Sequence, residues 1–114
     1  MEVKDLSFGS ITVDDITYDN DVVIKKGVVK KRKKGASKKY RDQYSHTPVS
    51  PYENIPWECK TLIIGTGHST GLPVMEEVYK KARKKGVKIL EMSTPEAVKH
   101  VNDRDTNLIL HLTC

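Results

Sequence analysis

The chain has 114 residues, 37% hydrophobic and 31% charged, with a formal net charge of +5 at pH 7. That length supports one core and excludes two independent ones, and the composition is globular rather than disordered. No segment approaches the roughly 20 consecutive apolar residues of a membrane span, and MEVKDLSFGS lacks the basic and apolar runs of a secretory signal, so a cytoplasmic protein with no membrane partner is expected.

From Ser10 to Tyr18, SITVDDITY alternates Ile11 and Val13 against Thr12, then Ile16 and Tyr18 against Thr17, about Asp14-Asp15, which is the pattern of a hairpin. DVVIKKGVVKKRKK follows, β-branched and interrupted by Gly27, and reads as a second strand pair or one bulged strand with lysines toward solvent. Residues 1–34 are therefore expected to be antiparallel β, and residues 35–57, with Gly35, Pro48, Pro51 and Pro56, a long irregular loop.

Residues 58–114 change character. Thr61 to Ile64 is a short apolar run. The helix after it, begun by Pro73 and ended by Gly86, places Val74, Met75, Val78, Tyr79 and Ala82 on one stripe. Val87 to Met92 reads as a strand, Thr94 as the N-cap of a second helix with Pro95 in its first turn, and Leu108 to Thr113 as a last strand. Strand, helix, strand, helix, strand implies a parallel βαβαβ unit with right-handed crossovers. The fold class is α/β: one domain, N-terminal antiparallel hairpins joined to the parallel half in a mixed sheet with two helices.

Ligands of such sheets sit beyond the carboxyl ends of the parallel strands. Gly65, Thr66, Gly67, His68, Ser69, Thr70 and Gly71 are expected there together with Cys114, so this edge is the first candidate contact surface. The glycines spell G-x-G-x-x-x-G, one residue longer than the dinucleotide fingerprint, although Glu91 falls twenty residues after Gly71; no Lys-Ser or Lys-Thr follows, as a phosphate loop requires. Two readings stay open: a tight turn into a helix, or a cradle of amides for a small anion or nucleotide. G-H-S-T-G, from Gly67 to Gly71, also matches the nucleophile elbow letter for letter, but no acid is placed for a triad.

His46, His68, His100 and His111 lack metal-ligand spacing, and Cys59 and Cys114 lack C-x-x-C spacing. No metal, cofactor or catalytic residue is expected, although Cys114 beside His68 or His111 has the makings of a thiolate pair. The two cysteines belong at opposite ends of the sheet, about 15 to 20 Å apart, beyond the roughly 7 Å that a disulfide spans.

Residues 25–41 hold ten of the twenty Lys and Arg and no acid. Lys30, Lys31, Arg32, Lys33, Lys34, Lys38, Lys39 and Arg41, with Tyr40 and Tyr44 beside them, are candidate contacts to phosphates and bases of a nucleic acid. The alternative is a lysine-guarded edge hairpin. An exposed hairpin edge also leaves homo-oligomer formation open.

The order of hairpins, Tyr40-Arg41, His46-Thr47-Pro48, then TLIIGTGHSTGLP, VKILEM, STPEAV and the closing HLTC resemble the small domain family that includes the adipogenesis-associated domain protein and mitochondrial complex I assembly factor three. The resemblance covers nearly the whole chain. It implies a compact α/β domain without an established activity, acting in assembly or regulation through a protein partner, and it singles out Gly65, Gly67, His46, Pro73 and Cys114. The run KKRKKGASKK lies outside that resemblance.

Overall fold

The computed structural model describes residues 1–114. Eight strands form two sheets. β1 (Val3–Ser7), β2 (Ser10–Val13) and β3 (Ile16–Tyr18) make an antiparallel sheet of their own. β4 (Val22–Lys25), β5 (Val28–Lys31), β6 (Thr61–Gly65), β7 (Lys88–Met92) and β8 (Thr106–Leu110) make a mixed sheet in the order β5-β4-β8-β6-β7. β6 runs parallel to both β7 and β8, and β4 joins the parallel half by pairing antiparallel with β8.

The turns explain the hairpins. Asp14 and Asp15 take φ of 48° and 66°, and Lys26 and Gly27 take 50° and 78°, so both connections use the left-handed pair of residues whose twist matches that of the strands. DVVIKKGVVKK is therefore a strand pair, not one bulged strand.

The mixed sheet is covered on both faces. Val23, Leu62, Ile64 and Ile109 point to one face and pack with Val78 and Ala82 of α2 (Glu76–Lys85) and with Val49 and Ile55 of the loop. Val22, Ile24, Ile63, Leu108 and Leu110 point to the other, where Ile11 and Val13 of β2 and Ala97 of α3 (Thr94–Ala97) meet them. Period-two alternation thus packs both faces of the one sheet, and the small sheet forms a third layer with α3.

Three boundaries differ from expectation. Pro73 does not begin α2: Val74 bridges Val49 in parallel, with Val49 N–H donating to Pro73 O and Met75 N–H to Val49 O, which keeps residues 73–75 extended until Glu76. Ser93, not Thr94, caps α3 by accepting from the Glu96 amide, because the Thr94 hydroxyl is taken up elsewhere. β8 starts at Thr106 and ends at Leu110. β4 begins opposite Leu110, at Val22, and residues 111–114 turn to the glycine loop instead. Within residues 35–57 there is also order: a 3-10 helix over Lys34–Tyr40 leads into α1 (Arg41–Tyr44).

Candidate functional site

The structure brings Gly65 to Gly71 and Cys114 together at the carboxyl end of β6 and β8 and shows what fills the loop. His68 N–H donates to Thr113 O at 2.8 Å, and Ser69 and Gly71 N–H both donate to Cys114 O, at 3.0 and 2.9 Å. Gly67 N–H donates to the Thr94 hydroxyl, which itself donates to His111 O at 2.5 Å. Thr66 N–H and its hydroxyl both go to Met92 O, and Leu72 N–H returns to Thr66 O. The His68, Ser69 and Gly71 amides are bound to the backbone of residues 113 and 114 and the Gly67 amide to the Thr94 hydroxyl, so the glycines serve the close approach of residues 111–114 rather than an open anion cradle. Gly65 is equally confined: an added Cβ would meet Leu110 and Thr94 at 3.0 Å. Glu91, on β7, accepts from the Tyr79 hydroxyl, and burial together with that carboxylate pushes the phenol's pKa up.

What remains outward at this edge is Ser69, Thr70 and the ring of Phe8, which is 68% exposed and stands 5.9 Å from His68, centroid to centroid. Phe8 sits in the β1–β2 turn, which is tied to the same edge by Gly9 N–H donating to Leu112 O. His68 Nε2 is buried without a partner. Sequence reasoning missed Phe8 because β1, with Lys4 and Asp5 in its middle, lacks strand alternation.

The basic run divides. Lys30, Lys31, Lys33, Lys34, Lys38, Lys39 and Arg41 are exposed, and the Lys39 ammonium lies 5.2 and 5.3 Å from the ring centroids of Tyr40 and Tyr52, which stack on each other. Tyr40 and Tyr44 both pack partly against the core. Arg32 is no phosphate contact. Its guanidinium is fully buried: Nε and Nη2 donate to Glu53 at 2.7 and 3.1 Å, Nη1 to Asp21 at 3.0 Å, and Nη2 also to Pro48 O. Burial opposes its charge, but Glu53 first and Asp21 second outweigh that and raise its pKa. Ser37 donates to Glu53 and hydrogen-bonds Ser50. No sequence signal separates Arg32 from its nine basic neighbours.

Asp21 extends this network to the last residues of the chain. Its Oδ2 lies 2.7 Å from His111 Nδ1 and its Oδ1 accepts from Leu112 N–H, while His111 Nε2 lies 3.2 Å from the Thr113 hydroxyl. Burial alone would raise the Asp21 pKa; the hydrogen bond and charge of His111, the Leu112 amide and Arg32 together bring it down to about 2. A carboxyl with a lowered native pKa stabilises the fold above its unfolded pKa of about 4 and loses that contribution as pH falls toward 2. Asp21→Asn should therefore flatten the acid limb of stability between about pH 5 and 2, with about 2 kcal/mol of pH dependence removed, as read from urea unfolding across that range. An unchanged acid limb in that variant would show that Asp21 does not carry it.

Cys59 and Cys114 are both free. Burial pushes the Cys59 thiol's pKa up, and Cys59 Sγ donates to Pro56 O, both of which disfavour the thiolate. No helix is long and apolar enough to cross a membrane.

A five-stranded mixed sheet with a separate three-stranded sheet packed on one face, and a glycine loop closed over the chain's last residues, defines a single compact α/β domain. The chain belongs to the family described as a protein of unknown function (DUF498/DUF598), whose model matches residues 3–103. A conserved hypothetical protein from Pyrococcus horikoshii shares the fold at a TM-score of 0.81 and 23% identity, with 100% of both chains covered. A chain called MT938 matches at 0.68 and 25%, covering 98% of this chain and 97% of its own. An outer membrane protein from Bartonella henselae matches at 0.67 and 16%, covering 98% and 94%. No curated protein matches the chain.

Proposed function

We propose that this is a non-enzymatic binding domain of the cytoplasm that docks a protein partner, in an assembly or regulatory role, at the edge formed by Phe8, His68, Ser69, Thr70, Gly71 and Cys114. The observation that carries the reading is Phe8, a large aromatic left 68% exposed on an ordered turn beside the glycine loop. Exposed aromatics on a rigid support are the usual anchors of protein interfaces. The resemblance to the group containing the adipogenesis-associated domain protein and complex I assembly factor three supports the assembly role. Against catalysis stands the loop itself. Asp21, His111 and Thr113 follow the acid, base, hydroxyl order of a triad, but the amides of His68, Ser69 and Gly71, which would form an oxyanion hole, are occupied.

A specific observation also favours nucleic acid: Lys31, Lys33, Lys34 and Lys38 line a concavity of about 420 Å³ in which Asp21 is the one acid. One experiment separates the two. The tagged domain and its Phe8→Ala variant are used to retain partners from host extract, with and without nuclease and at rising salt. A protein held through nuclease and high salt, and lost at least tenfold in Phe8→Ala, is the expected result. The unfolding midpoint of the variant should stay within about 0.5 kcal/mol of the parent, since the ring is exposed. Equal retention by the variant would remove the Phe8 edge from consideration. Retention of RNA or DNA that falls with a log-log salt slope of about −5, as about six phosphate contacts give, would move the function to the lysines.

A further inference from the structure

A second cavity, of about 260 Å³, opens beside the first between the segment after β5 and the end of the chain. It is lined by Arg32, Lys34, Arg41, His46, Thr47, His111, Thr113 and Cys114. The lining side chains are three cations, two imidazoles, two hydroxyls and a thiol, with no side-chain carboxylate among them. That is an unusual balance in a molecule with fifteen acidic residues.

Two of these groups are fixed from behind. Glu53 and Asp21 hold the Arg32 guanidinium, and Asp21 holds His111 Nδ1, which directs the opposite ring nitrogen toward Thr113. Within this inner cluster both carboxylates are turned to groups of the fold, Glu53 to Arg32, and Asp21 to Arg32, His111 and the Leu112 amide. Lys34 and Arg41 are exposed and stand outside every ion pair of the fold. The Cys114 backbone oxygen is already engaged by the Ser69 and Gly71 amides.

An apolar ligand finds no apolar wall here, and a cation meets the wrong sign. A tetrahedral oxyanion suits the site because it accepts hydrogen bonds from several directions at once, which a guanidinium fork, an ammonium and two hydroxyls supply. We propose that this cavity binds a phosphate group, free or as a small phosphate monoester, with Arg41 and Lys34 neutralising its charge and the hydroxyls of Thr47 and Thr113 orienting its oxygens. The site shares Cys114 with the Phe8 edge but is otherwise built from other residues, and it holds whether or not a protein docks there.

The test is a titration of the nitrogen-15-labelled full chain with inorganic phosphate and, separately, with phenyl phosphate, at constant ionic strength made up with chloride. Saturable shifts at the amides of Thr47, Thr113 and Cys114 are expected. Arg41→Gln and Lys34→Gln should each weaken binding about tenfold, the effect of losing one charge-assisted contact. Lys85→Gln, at the end of α2, should leave it unchanged. Tighter binding of inorganic phosphate identifies the free ion, and tighter binding of phenyl phosphate identifies an ester. Shifts that remain linear to about 20 mM, or equal affinity in Arg41→Gln, Lys34→Gln and the parent, overturn the proposal. Because Lys34, Arg41 and Lys85 are all exposed, the three variants keep the fold, and unfolding midpoints verify it.

Discussion

Arg32→Met is expected to remove about 3–5 kcal/mol of stability, a large part of what a domain of this size possesses. The side chain has the size and shape to be replaced by methionine, so little of the loss comes from packing. The loss comes from what is left behind. Glu53, with its side chain 1% exposed, would retain only Ser37 and the Ser50 amide as partners, and Asp21 would lose the guanidinium and keep His111 and the Leu112 amide. A carboxylate stranded in a low-dielectric interior costs far more than the ion pair contributed. Lys33→Met, one residue along the same basic run but exposed, should change stability by less than about 0.5 kcal/mol. Urea unfolding of the two variants under identical conditions measures the contrast, and equal midpoints would show that the buried network is not structural. The double variant Arg32→Met with Glu53→Gln should regain part of the loss, because it removes the stranded charge, and so identifies the charge rather than the lost volume as the cause.

Arg32 also shows where reading the sequence stops. The basic run is legible as a run, and its lysines behave as such a run should, but ten like residues give no clue to the one turned inward. Its partner Glu53 lies twenty-one residues away in a proline-rich segment, and the serines that complete the site, Ser37 and Ser50, have no spacing of their own. Ionic pairing across a loop is a tertiary fact with no local period. The same holds for the start of α2. Pro73 is a sound first-turn residue on local grounds, and only the bridge between Val49 and Val74 holds it in extended form.

Where the controlling interaction is local, the sequence is more explicit. Asp14-Asp15 adopts the left-handed turn its position between alternating strands implies, and Gly86, with φ of 69°, closes α2 as expected. The run of strand, helix, strand, helix, strand from Thr61 appears in order because each segment has a clear apolar period. The glycine loop falls between these cases. Its spacing announces a tight passage of backbone, and the one-residue excess over the dinucleotide fingerprint is a true difference, but the group that occupies the passage is the far end of the same chain.

That occupancy makes Gly67→Ala the second large effect expected, a loss of about 2–4 kcal/mol from backbone strain and overpacking together. Gly67 has φ of 107°, which L side chains rarely adopt, and an added Cβ would stand 2.3 Å from the Cys114 carbonyl carbon and 2.8 Å from its oxygen. Neither side can yield freely. Gly67 is clamped to Thr94 by two hydrogen bonds, one from its amide to the hydroxyl and one from the Thr94 amide to its carbonyl. Residues 113 and 114 are held by three more from His68, Ser69 and Gly71. Gly35→Ala is the matching control, since nothing lies within 4 Å of its added Cβ and its φ is not positive. Thermal unfolding of the two variants gives the magnitude. Amide hydrogen exchange gives the mechanism: if the methyl group expels the end of the chain, protection at His68, Ser69 and Gly71 falls before the rest of the sheet opens. The edge that carries Phe8 depends on this closure through the Gly9 bond to Leu112, so the same variant should also weaken partner retention while Gly35→Ala leaves it intact. A Gly67→Ala protein that melts with Gly35→Ala and keeps its loop protected would mean that the loop does not grip residues 113 and 114 in solution, and the proposed docking edge would lose its rigid support.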